Sequence, residues 1–200
     1  MKILHMSDTH GLHGKLGNLP DADVVVHSGD LSFSGSVYEA EDFIRWFSSL
    51  PYRHKVFIAG NHDSCFCDAE VTGLPDNVHY LCNSSVIIEG VKLYGMPMFM
   101  EDLADGSYDR NIRAIPEDTD VLITHQPPYK ILDFSENRHY GDKGIWKRVM
   151  EVVPRFHLFG HIHNAYNMYT FKQVAFSNAS LVDNDYELCR EPRLLDVTEK

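Results

Sequence analysis

The chain has 200 residues, 44% of them hydrophobic and 24% charged, with a formal net charge of −11. That length is normal for one domain and large enough to build a core without disulfide staples. The acidity works against stable binding to long DNA or RNA, while a small phosphate ester stays open as a partner because bound metal ions reverse the potential locally.

Ile3 to Met6 reads as a short buried strand. Asp23 to His27 carries Val24, Val25 and Val26, the β-branched run of a strand buried on both faces. From Val37 to Leu50, apolar residues fall at 40, 43, 44, 47 and 50, which is helical spacing. Ser36 with Glu39 three residues on forms a capping box at its start, and Pro51 stops it. Lys55 to Ala59 is the next strand, so the first third alternates as an α/β protein does.

Val78–Leu81, Ser85–Glu89 and Val91–Tyr94 read as short strands, the last two joined by a hairpin turn at Glu89-Gly90. Val121–Thr124 is another buried strand. Residues 126–142 show no periodicity and contain Pro127, Pro128 and Gly141. They read as a long loop, and such loops in a domain are more often functional than idle. Ile145 to Val153 reads as a helix stopped by Pro154, Phe156–Phe159 as a strand, and Met168–Phe171 with Val174–Ser177 as a late hairpin. With no linker or repeat, the pattern gives one α/β domain over 1–200, two sheets packed together with helices outside.

Four cysteines, at 65, 67, 82 and 189, lack the spacing of a zinc finger. No leader and no membrane-spanning run is visible. A cytoplasmic protein with free thiols is the expectation.

Five motifs carry the chemistry, each directly after or at the end of an expected strand. They are Asp8-Thr9-His10, Gly29-Asp30, Gly60-Asn61-His62-Asp63, Thr124-His125 and Gly160-His161-Ile162-His163. Open α/β sheets place ligands at such strand ends. Alone, D-x-H or G-D is an ordinary turn; five together form a ligand set. Carboxylate, amide oxygen and imidazole suit divalent Mn, Fe, Zn, Co or Ni, and no cysteine belongs to the set. Two ions can clamp a phosphoryl group and lower the pKa of bound water to about 7. A carboxylate such as Asp30 can offset their repulsion.

These motifs, in this order, resemble those of the calcineurin-like metallophosphoesterases, and the resemblance covers the whole chain. The segments 6–10, 58–62, 124–128, 154–163 and 178–180 resemble one branch, the small phosphodiesterases related to the vertebrate brain 239 proteins. The resemblance implies an α/β sandwich of two mixed β-sheets flanked by helices, four layers in the order αββα. It implies two divalent ions, manganese favoured: Asp8, His10 and His163 on one, Asn61, His125 and His161 on the other, Asp30 between them. His62 would protonate the leaving oxygen rather than bind metal, and Asp63 would orient and tune it. Some members of the branch have Gly where His161 stands here, which weakens their second metal site.

The expected reaction is hydrolysis of a phosphodiester in a small nucleotide or cyclic nucleotide, with metal-activated water as nucleophile. The alternatives are a phosphomonoesterase or protein phosphatase, and a weakly active metal- or nucleotide-binding regulator. A nuclease is disfavoured by the charge. Tyr129, Arg138, His139 and Tyr140 are candidate substrate contacts, and residues 31–35 could reshape the pocket. His27 is expected to support the site from behind. Cys65 and Cys67 would make activity sensitive to oxidation if they lay near the metals. Nothing marks an oligomer interface.

Overall fold

In a computed structural model, residues 1–197 are described. Along them run β1 (Lys2–Met6), β2 (Val24–Ser28), α1 (Val37–Ser49), β3 (His54–Ile58), β4 (Val78–Tyr80), β5 (Ser84–Ile88) and β6 (Val91–Met96). Then come α2 (Met100–Asp105), α3 (Ser107–Ala114), β7 (Val121–Thr124), β8 (Phe134–Ser135) and β9 (Arg138–His139). The chain continues with α4 (Lys143–Val152), β10 (Phe156–Phe159), β11 (Asn167–Phe171), β12 (Val174–Asn178) and β13 (Arg193–Asp196).

The first sheet has the order β13-β1-β2-β3-β4, and the second β11-β12-β10-β7-β6-β5. Both are mixed. β1 to β4 run parallel with β13 antiparallel at the edge. β12, β10, β7 and β6 run parallel between two antiparallel edges. Side-chain alternation in the central strands then builds three apolar layers. Ile3, Val24, Val26 and Val56 meet Leu93, Val121, Ile123 and Leu158 between the sheets. Leu4, Met6, Val25 and Phe57 meet Phe43 and Phe47 of α1. Tyr94, Met96, Leu122 and Phe159 meet Ile112 of α3 and Ile145 and Val149 of α4. Helix, sheet, sheet, helix is the expected sandwich.

The capping box forms as expected: Glu39 N donates to Ser36 Oγ at 3.3 Å, and Ser36 N to the Glu39 carboxylate at 3.2 Å. α1 ends at Ser49, and Leu50 turns extended (ψ 144°), as the residue before a proline must. The long loop is more ordered than expected. It holds the β8–β9 hairpin, and its ends are tied where Asp142 N donates to Pro127 O at 2.9 Å. α2, α3 and β13 are additions to the expected elements.

Three fully buried histidines interrupt the apolar layers within β1, β2 and β10. His5 sits 2.9 Å from both Ser177 Oγ and Ser28 Oγ. His27 pairs with Thr9 Oγ1, and His157 with Thr124 Oγ1, each at 2.9 Å. Burial pushes all three down to about 3. A base whose folded value lies below its unfolded value of about 6.5 is protonated first in the unfolded chain. Its stabilising contribution is complete above about pH 6.5 and is lost as pH falls towards the folded value. Each such histidine contributes a slope of about 1.4 kcal/mol per pH unit in that window. The urea midpoint of the metal-free protein is therefore expected to fall steeply from pH 6.5 to 5, and His157→Gln to flatten part of that fall. A midpoint independent of pH there would show that these rings are protonated or solvated in the fold.

Candidate metal centre

The loops that follow β1, β2, β3, β7 and β10 converge. Asp8 N donates to Gly29 O and His10 N to Asp30 O, each at 3.0 Å, and Gly160 N donates to His125 O at 3.2 Å. The backbone is strained where the side chains turn inward. Asp8 (φ 54°), His10 (φ 42°), Asp30 (φ 55°) and His161 (φ 67°) all lie in the left-handed region. Each such residue costs on the order of 1–3 kcal/mol and persists only where its surroundings impose it. Two glycines permit the close approach. A Cβ on Gly60 would collide with the Asp30 carboxylate, and one on Gly160 with the Asp8 carboxylate and Ser7 Oγ. That is why both motifs begin with Gly.

The imidazole and carboxylate donors gather in overlapping groups: Asp8, His10 and His163; Asp30, His125 and His161; and His10, Asp30 and His62, with donor atoms within 4.8 Å of one another in each. Asp30 Oδ2 lies 3.6 Å from His10 Nε2 and 3.2 Å from His125 Nε2, between the first two groups. His10 Nε2 and His163 Nε2 face each other at 3.4 Å. Asn61 Oδ1 adds an amide oxygen 3.1 Å from His125 Nε2. Neighbouring groups fix the tautomers. His125 Nδ1 donates to Ser28 O and His163 Nδ1 to Asp183 O, both at 2.9 Å, which turns each Nε2 towards the centre. Asp8 Oδ2 receives Ser180 Oγ at 2.7 Å, and both its oxygens lie 3.1 Å from His161 N.

The donor set fits divalent cations. Asp8 and Asp30 are almost wholly buried, and among the described residues no Lys or Arg pairs with either. Two buried carboxylates whose only ionisable partners among the described residues are imidazoles call for positive charge. Against burial, the hydrogen bond from His163 and the charge of His125 hold Asp8 well below the carboxylate range. Against burial, His125 likewise holds Asp30 at about 2. Burial opposes protonation of His125, yet the negative charge of Asp30 beside it raises it to about 9. Burial pushes His161 down to about 4, which keeps its lone pair free.

The His62 ring and the Asp63 carboxylate are each held by other partners than one another. His62 Nδ1 donates to Phe33 O at 2.8 Å, and His62 N donates to Asp30 Oδ1 at 2.9 Å. No hydrogen bond or ion pair joins the His62 ring to Asp63 among the described residues. The Asp63 carboxylate, fully buried, instead receives Gly60 N at 2.8 Å, Leu31 N at 3.2 Å, Ser32 N at 2.9 Å and Ser32 Oγ at 2.7 Å. It splices the loops after β2 and β3. The ring is positioned from further along that first loop: Glu39 accepts Ser34 N, of the same peptide group as the Phe33 carbonyl, at 3.1 Å and so ties that carbonyl to the α1 cap. Asp63→Ala would strand three buried N–H groups, at roughly 1–3 kcal/mol each. A loss of about 3–5 kcal/mol in denaturant unfolding is expected, and a loss below about 1 kcal/mol would deny Asp63 this role.

Of the expected substrate contacts, Tyr140 lines the cavity above the centre. His139 does not; its Nδ1 is held by Asp133 at 2.6 Å in a separate depression with Lys130 and Phe134. Arg138 lies over the Tyr140 ring, and Tyr129 lies beneath Lys130 and Lys143. His27 supports the site by holding Thr9 between Asp8 and His10. The cysteines are free. Burial, then Asp63, raises the Cys65 thiol to about 11, and burial raises Cys67, so neither is activated for oxidation. Ser180, Asp183, Glu136 and Tyr186 belong to the site's surroundings without any motif to announce them; only the Asn178-Ala179-Ser180 segment hinted at one of them.

The profile of the calcineurin-like phosphoesterases matches residues 1–165. A UPF0046 protein of Caenorhabditis elegans is 30% identical, the match covering 98% of this chain and 81% of that protein. Metallophosphoesterase domain-containing protein 1 of Homo sapiens is 31% identical over 98% of this chain and 71% of its own length. A solved crystal structure superposes with a TM-score of 0.67 over 88% of this chain and 89% of its own, at 13% identity, a likeness of fold. No helix among the described residues is long and apolar enough to cross a membrane. With the motifs converging as they do and the profile spanning most of its length, the chain belongs to the calcineurin-like phosphoesterase family.

Proposed function

We propose that this chain hydrolyses a phosphodiester in a small nucleotide or cyclic nucleotide with two divalent ions, manganese favoured. The observation that carries the proposal is Asp30, whose Oδ2 stands between two donor groups, 3.6 Å from one imidazole and 3.2 Å from the other. Asp8, His10 and His163 would hold one ion; Asn61, His125 and His161 would hold the other; Asp30 would join them. When bound, the ions supply Lewis acidity and an activated water. The chain does the rest. With two dications bound, the two buried carboxylates Asp8 and Asp30 would offset only half of their charge and leave the rest for the phosphate to meet. His62, with Nδ1 fixed on Phe33 O, directs Nε2 towards the leaving oxygen and donates its proton there. The cavity of about 350 Å³ extends beyond the donors to Ser135, Glu136 and Tyr140, room for a second ester arm that a monoester would leave empty.

The test uses metal-stripped protein with Mn, Ni, Co, Zn or Mg added in turn. Bis-(para-nitrophenyl) phosphate and para-nitrophenyl phosphate are compared at each metal. Turnover only with added metal, and at least about tenfold faster on the diester, is the expected result, a preference of about 1.4 kcal/mol. A faster monoester would favour the phosphomonoesterase. No turnover in protein carrying two ions would favour a metal- or nucleotide-binding regulator.

A further inference from the structure

Beyond the donor residues, the cavity wall consists of Ser135, Glu136, Tyr140, Ile162, Asn184 and Tyr186. No Lys or Arg is among them. A second phosphate on the substrate would meet Glu136 with no Lys or Arg in the wall to offset it. A lipid chain would find one aliphatic side chain, Ile162. An uncharged flat group carrying hydrogen-bond donors fits both constraints.

Each of the two key side chains is held by its own turn. Tyr186 stands at φ 61°, an outlier for a bulky residue. The turn imposes it: Tyr186 N donates to Asp183 O at 3.1 Å, and Asp183 Oδ1 accepts Asp185 N and Glu187 N at 3.0 Å. Its ring stands nearly perpendicular to those of His10 and His163, with centroids at 4.8 and 5.4 Å, and to that of Phe33 at 5.2 Å. Glu136 (φ 47°) and Asn137 (φ 62°) form the two-residue turn between β8 and β9. Tyr140 Oη donates to Glu136 Oε2 at 2.7 Å. Glu136 Oε1 has no protein partner among the described residues, so the carboxylate is fixed with one acceptor free.

We infer that Tyr186 and Glu136 are the specificity-determining residues of this site and select a nucleoside as the ester group. The base lies against Tyr186, and a sugar hydroxyl or base N–H donates to Glu136 Oε1. This rests on the phosphoesterase reading and names the side chains that select its substrate. It also predicts selection against a second phosphate.

Two esters isolate the selection. Para-nitrophenyl thymidine 5′-phosphate and methyl para-nitrophenyl phosphate expel the same group and differ only in what is retained. With manganese-loaded protein, kcat/KM is expected to favour the thymidine ester roughly 10- to 100-fold, the range of base–aromatic stacking. Tyr186→Leu and Glu136→Gln should each cut that ratio by about fivefold or more, and Tyr186→Phe should restore it. A ratio near one, or one that neither variant moves, overturns the inference. Calorimetric binding of thymidine 5′-monophosphate against deoxyribose 5-phosphate gives a second readout. Tighter binding of the nucleotide that Tyr186→Leu abolishes, in protein that turns over neither ester, would sink the phosphoesterase reading and keep this one. Equal affinity for the two ligands would sink this one and leave the hydrolase intact.

Discussion

Asp30→Asn is expected to lower metal-dependent turnover of bis-(para-nitrophenyl) phosphate on the order of 10³-fold. Asn keeps the volume and can still accept the His62 N–H that reaches Oδ1 at 2.9 Å. What it removes is the charge at Oδ2, 3.2 Å from His125 Nε2 and 3.6 Å from His10 Nε2. Two dications in one pocket repel by on the order of 10 kcal/mol at an effective dielectric near 20, and among the described residues no other carboxylate belongs to both Asp30-containing donor groups. The variant should therefore bind fewer than two ions while folding normally. Metal content by plasma emission and a thermal melt accompany the assay. A variant that keeps turnover within about tenfold of the parent, or that keeps both ions, would remove Asp30 from the bridging position.

Much of this was legible in the sequence, for identifiable reasons. β1, β2, β3, β7 and β10 are buried on both faces, so each reads as an apolar run ended by Gly, Asp or His. Their ends carry the donors, and the sheet topology brings them together. The capping box of α1 is local chemistry, and it formed as read. The missed elements lack local signals. α2 and α3 begin without a side-chain cap, and α2 buries no residue. β13 is an edge strand with Leu194 exposed, and it pairs with β1 from the far end of the chain. The partners of Asp63 are hidden for a similar reason. G-N-H-D places it beside His62 in sequence, but three of its four hydrogen bonds go to Leu31 and Ser32, in the loop after a different strand. Tyr186 and Glu136 are invisible for the same cause: their place over the donors depends on turns that no motif encodes.

His62→Ala separates two roles that the geometry allows. His62 belongs to a donor group with His10 and Asp30, which would make it a ligand. Its Nδ1 is tied to Phe33 O at 2.8 Å and its side chain is partly exposed, which suits a proton donor at the mouth of the site. A ligand role predicts loss of metal and equal losses on every substrate. An acid role predicts intact metal content and a loss that depends on the leaving group. Para-nitrophenolate departs with little protonation, whereas an alkoxide cannot. The expected result is a loss of about 10²- to 10⁴-fold on a dialkyl diester such as the methyl ester of thymidine 5′-phosphate, with a much smaller loss on the para-nitrophenyl ester. Equal losses on the two esters, or an ion missing from the variant, would assign His62 to metal binding instead. The comparison needs no assumption about the natural substrate, because both esters retain the same thymidine arm and differ only in the oxygen that His62 is proposed to protonate.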